Sequence, residues 1–217
     1  MFLLRKAAFL FFLTLLAALV KAQQPIAVIK NLPAGSVVTT TGTISTGFEY
    51  GTIRYMQDAN AGIALYSKSL SATQPGDSIM VTGVLSKYKG EIQISPVMSY
   101  QLVSTSRPLT FEAAEDFAKA SSSINSGRLF TFSCVAFNTC EEKYAEGPYR
   151  IYDQFGNAAL AIIADGSFLK GNFISENPLR LTGVWKNSGD QYQLLVRDIE
   201  SDTLNNCHLI APGIASY

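Results

Sequence analysis

Beyond residue 25 apolar and polar positions alternate with period two in short runs, which predicts strands rather than helices. "SVVTTTGTIST" (36–46), "GTIRYMQD" (51–58) and "GIALYS" (62–67) read as three strands, the last two joined by the short "ANA" link. "PGD" (75–77) is a turn, because Pro75 presets φ and Gly76 accepts positive φ. "SIMVTGVLSKY" (78–88) and "EIQISPV" (91–97) follow as a fourth and a fifth strand around the "KG" tip.

The same programme returns after residue 127. "RLFTFSCVAFN" (128–138), "YRIYD" (149–153), "NAALAII" (157–163) and "PLRLTGVWKNSGDQYQLLV" (178–196) repeat the order. Thr82-Gly83-Val84 and Thr182-Gly183-Val184 correspond, as do Gln93 and Gln193. Asp58 and Asp153 each close the second strand of their set ahead of a small-residue link, which is turn chemistry rather than catalysis. Between the sets, Thr110 as N-cap, acids early and Phe111, Ala114, Phe117 and Ala118 on one face predict an amphipathic helix over about 111–120.

The expected fold is therefore all-β: two tandem small five-stranded barrels joined by a short helix, with glycines permitting tight bends where each closes. The boundaries expected are a signal peptide (1–22), a first barrel (23–107), a connector (108–127), a second barrel (128–204) and a tail (205–217). The motifs "IRYMQDANAGIALYS" and "PGDSIMVTGVLSKYKGEIQIS" make residues 26–104 resemble the OB-fold domains of exported bacterial proteins, which are described as nucleic-acid-binding-like. Residues 108–203 follow that pattern loosely, with "YD" in place of "QD" and "ENP" in place of "GD".

Composition narrows the function classes. "MFLLRK" followed by the apolar stretch 7–20 and "VKA" reads as a secretory leader cut between Ala22 and Gln23. That stretch falls short of the roughly 20 residues a bilayer span takes, so no span is expected in the mature chain, which is placed in the periplasm or outside the cell. Without the leader, 14 basic residues face 17 acidic ones; residues 23–107 carry net +2 and residues 108–217 net −5. That balance does not suit a protein tracking polyphosphate unspecifically.

His208 is the single histidine, and it lies in the tail. No nucleophile elbow, P-loop, dinucleotide fingerprint or zinc spacing occurs, so neither catalysis, a metal nor a cofactor is expected. Cys134, Cys140 and Cys207 leave two readings. Either all three are free, or Cys207 takes part in a bridge, with Cys140 favoured as its partner and Cys134 a buried thiol in an apolar strand. Cys134 and Cys140, roughly 20 Å apart along one strand, are not expected to pair with each other.

Binding is the more credible class. OB barrels commonly bind on the face of strands two and three and the loops beside it. In the first barrel that region offers Tyr50, Arg54, Tyr66, Lys68, Lys87, Tyr88 and Lys89 as ligand-binding candidates, aromatics beside cations suiting single-stranded nucleic acid, another polyanion or a glycan. Strand parity puts Ile53 and Tyr55 in the core and Arg54 outside, and ordinary barrel surface explains most of the cluster. Trp185 reads as core, and "CEEKYAEG" (140–147) as an acidic loop that repels phosphate. These features favour a non-catalytic scaffold for a protein or envelope partner over nucleic-acid binding on the first barrel.

Overall fold

The computed structural model describes residues 23–139, 142–201 and 207. The first ring is a closed barrel of β1 (Val37–Ile44), β2 (Ile53–Gln57), β3 (Gly62–Tyr66), β4 (Ser78–Tyr88) and β5 (Glu91–Ser104) in the order β1-β2-β3-β5-β4, closed by β4 on β1. The second ring consists of β7 (Arg128–Phe137), β8 (Gly147–Tyr152), β9 (Ala158–Ile163), β10 (Leu179–Ser188) and β11 (Gln191–Ser201). Its strands pair in the corresponding order, β10 meeting β7, and β6 (Glu112–Ala114) adds parallel to β7 from outside the ring. In both rings the third strand runs parallel to the fifth.

The "TGV" motif now has a physical cause. Thr39 and Thr82 face each other across β1 and β4 with hydroxyls 2.9 Å apart, and Thr131 and Thr182 do the same across β7 and β10 at 3.0 Å. Straight after each threonine of the fourth strand the register with the fifth strand shifts. The glycine at that bulge lets the two backbones close in: a Cβ on Gly83 would meet Pro96 O and the Ile94 side chain, and one on Gly183 would meet Leu195 O.

Each ring is plugged by a single helical turn that precedes its first strand. Ile26 and Ile29 of α1 (Ile26–Ile29) enter the core of Val38, Ile44, Met56, Ile63, Leu65, Ile79, Val81 and Ile94. Phe117 and Ala120 of α2 (Phe117–Ala120) enter the larger aromatic core around Phe130, Phe132 and Trp185. Trp185 is fully buried, as expected, and stacks on Tyr192. The helix expected over 111–120 is thus only four residues long, and residues 112–114 form a strand instead. Asp116, not Thr110, is the N-cap, accepting from the Ala118 and Lys119 N–H groups, so the helix cannot begin before Phe117.

Asp58 and Asp153 have matching roles. Asp58 Oδ1 accepts from the N–H groups of Asn60 and Ala61, fixing the β2–β3 turn, while Oδ2 accepts from Ile26 N–H in the first turn of α1 at 2.8 Å. Asp153 Oδ1 accepts from Phe155 and Asn157, and Oδ2 accepts from Phe117 N–H in the first turn of α2 at 2.7 Å.

The cysteine expectation needs correction. Cys134, not Cys140, is bonded to Cys207, with Cα atoms 5.5 Å apart. Register explains it: Ser201 pairs with Leu179 and Leu179 with Val135, so the end of β11 lies two strands from Val135, whose neighbour Cys134 meets Cys207. Cys140 and His208 lie outside the described residues.

Candidate binding surfaces

The outer face of β2 and β3, where a ligand was expected on the first ring, is covered by the second ring. Met56, Ile63 and Leu65 point into the first barrel, so Ile53, Tyr55, Gln57 and Ala64 point out. Tyr55 and Ala64 pack there against Leu129, Val184 and Leu195 of β7, β10 and β11. Arg54 shares the inward face of Met56, contrary to the expected parity; it is 2% exposed and donates to the carbonyls of Gly51 and Ile53. The parity reverses because both faces of β2 are buried, one by the barrel and one by the neighbouring ring.

The seam between the rings is polar as well as apolar. A Cβ on Gly62 would overlap the Gly127 carbonyl, so the two backbones meet in direct contact; Gly127 itself has φ +93°. Beside them the Lys30 ammonium donates to the carbonyls of Gly62 (2.9 Å), Ser126 (2.7 Å) and Ile124 (3.4 Å). The Gln57 amide donates to Thr110 O and accepts from Leu129 N–H. Tyr50 donates to Val196 O, and Arg197 donates to Ser45 O.

Glu91 is the electrostatic centre of this seam. It accepts from the Tyr55 hydroxyl at 3.1 Å and from Ser126 at 3.3 Å, and lies 3.8 Å from the Lys186 ammonium. Burial pushes its carboxyl above the usual range, against the pull of Lys186. Burial lowers Lys30 to about 8, with Glu91 opposing the shift. The Tyr50 and Tyr55 phenols are both raised by burial first. These groups are paired with one another and with backbone carbonyls, and they fasten the two rings together.

Five of the seven proposed ligand residues remain accessible, while Tyr50 and Arg54 are withdrawn into the seam and the barrel. Tyr66 is 50% exposed and Lys68 is exposed beside it. Lys87, Tyr88 and Lys89 project from the β4–β5 tip, with Tyr88 61% exposed and the Lys89 ammonium 5.5 Å from its ring centroid. The set splits in two. Ala64 is level with Gln93, so Tyr66 and the Glu91 end of the tip stand four residues apart along parallel strands, roughly 13 Å. The tip is also braced by the other ring, Gly189 N–H donating to Lys89 O.

The equivalent face of the second ring is the one left open. Register puts Arg150 where Tyr55 stands, Leu160 where Ala64 stands and Ala158 where Gly62 stands. Arg150 and Ala158 are exposed, and with Leu160, Asn157, Gln191 and Tyr192 they line a cleft of about 270 Å³ bounded by α2. Arg150 stands in no motif of its own, because the second copy follows the pattern of the first only loosely. The signal available was the register itself, which aligns "YRIYD" with "IRYMQD".

Among the described residues no group of three or more His, Cys, Asp or Glu side chains is placed to hold a metal ion, and no helix is long and apolar enough to cross a membrane. No protein-family model matches the chain, and no curated protein matches it. Among solved structures, the hypothetical protein YgiW from E. coli is similar at 20% identity and TM-score 0.34, over 38% of this chain and 90% of that one. The tetrameric p202 HIN2 is similar at 13% identity and TM-score 0.35, over 77% of this chain and 92% of that one. Both likenesses are remote, and neither sets the family of this chain.

Proposed function

We propose that the chain is an exported, non-catalytic binding module whose two fused rings form one stiff part for assembly with a protein or envelope partner. The observation that carries this reading is the covered face: Tyr55 and Ala64 are packed against Leu129, Val184 and Leu195 and are not presented to a ligand. A tagged chain captured from its native envelope and medium is expected to bring down a stoichiometric partner, and capture of the chain alone would sink the reading.

A second reading has one specific observation in its favour, the exposed Lys87–Tyr88–Lys89 tip. Its reach is limited by magnitude. Two phosphate contacts to a single strand give a log–log salt slope of about −1.4, so affinity changes on the order of tenfold or less between 50 and 200 mM salt. The expected result on single-stranded DNA or heparin is therefore release well below physiological salt. Retention that survives physiological salt and vanishes in the Lys87→Ala/Lys89→Ala double variant would replace the scaffold reading with polyanion binding.

A further inference from the structure

We propose that Gln23 is a modification site: once the leader is removed, its free α-amine closes onto its own side chain to give a pyroglutamyl terminus. The proposal rests on the export reading, since the nitrogen of Gln23 is an unreactive amide for as long as Ala22 precedes it.

The fold takes hold of the chain one residue later. Gln24 N–H donates to Thr39 O at 3.0 Å, and Thr40 Oγ1 donates to Gln24 O at 2.7 Å. Pro25 follows, and Ile26 N–H is held by Asp58. The terminus is thereby fixed at the surface, with Gln23 exposed as the one residue outside this clamp. It stands at the rim of a cavity of about 520 Å³ that Thr41, Thr43, Asp58 and Arg107 also line.

An α-ammonium there has poor company. Asp58 is the only carboxylate among the described lining residues, and it already accepts three backbone N–H groups. Arg107 is the only cation among the described lining residues, and a second positive charge on the same wall is disfavoured. An α-amine titrates at about 7.7–8.0, so a fraction is neutral and nucleophilic near pH 7.

In the step, the α-nitrogen attacks Cδ of the Gln23 side chain and a C–N bond forms. The Cδ–Nε2 bond breaks, and ammonia leaves with a proton taken from the attacking amine. No oxidant or co-reactant is needed. The Gln23–Gln24 peptide is untouched, so the Gln24 N–H keeps its place on Thr39.

The test is to export the full-length chain, quench it in acid at harvest, and combine intact mass with amine labelling of the terminus. The expected product begins at residue 23, is lighter by one ammonia and carries no labelled terminus, whereas Gln23→Ala is labelled there. A chain beginning at Gln23 with full mass and a labelled amine overturns the cyclisation and leaves export standing. A chain that keeps residues 1–22 overturns the export reading beneath it, and one cut at another residue leaves export standing and overturns the Gln23 terminus and its cyclisation.

Discussion

Asp58 and Asp153 fasten three things at once: the end of a strand, the turn after it and the helical turn that plugs the barrel. Removing a charged acceptor from several N–H groups at once leaves buried donors without partners, at about 2–3 kcal/mol. Asp153 is 1% exposed and Asp58 is half-buried, so Asp153→Ala is expected to cost more than Asp58→Ala in denaturant unfolding. Equal or negligible losses would show that the carboxylates do not carry these turns. The turn role of both was legible in the sequence, because Asp before a small-residue link has few other uses. Their contact with Ile26 and Phe117 was not, since residues 32 and 36 positions away are joined only once the barrel has closed.

At the scale of the element, period-two alternation located every strand of both rings, yet it misjudged which way β2 faces. Alternation reports a contrast between a buried side and a wet side, and β2 has no wet side: Arg54 is inside the barrel and Tyr55 inside the seam. The bridge was misjudged for a related reason, because register across β7, β10 and β11 decides it and spacing along one strand does not. The Cys134–Cys207 bridge closes 73 residues of sequence, so its reduction is expected to lower stability by about 2–4 kcal/mol. Unfolding curves with and without reductant, repeated on Cys140→Ser, measure this; the variant is expected to keep the full difference.

The seam brings a pH dependence. Lys30 titrates at about 8 in the fold against an ordinary 10.5, so between those values the unfolded chain holds more protons. The Lys30 contribution therefore strengthens the fold as pH rises through that window and weakens it as pH falls back to about 8. Glu91 is shifted upwards, so its contribution is fully present below the ordinary carboxylate value and is lost as pH rises through its raised folded value. Stability measured from pH 4 to 10.5 is expected to lose its alkaline rise in Lys30→Met and its acid-side fall in Glu91→Gln. Unchanged profiles would mean that neither group is shifted by the seam.

For the molecule as a whole, the seam of packed and hydrogen-bonded groups joins the two rings, so they are expected to unfold together. Wild-type unfolding is expected as a single transition by both far-UV and aromatic probes. Gly62→Ala forces a methyl into the Gly127 carbonyl, costs roughly 1–3 kcal/mol as an overpacked contact, and should split that transition into two. One transition in the variant would place the coupling elsewhere.

The backbone contact between Gly62 and Gly127 also sets a stopping rule. A ring that accepts another through its β2–β3 face needs glycine where the backbones touch, and the second ring has Ala158 at that position and Arg150 in place of Tyr55. The docking that joins the first ring to the second cannot be repeated on the second, so copies of this chain have no route by this contact into an endless filament. That mode of docking therefore stops at the second ring, whose Arg150 face stays exposed.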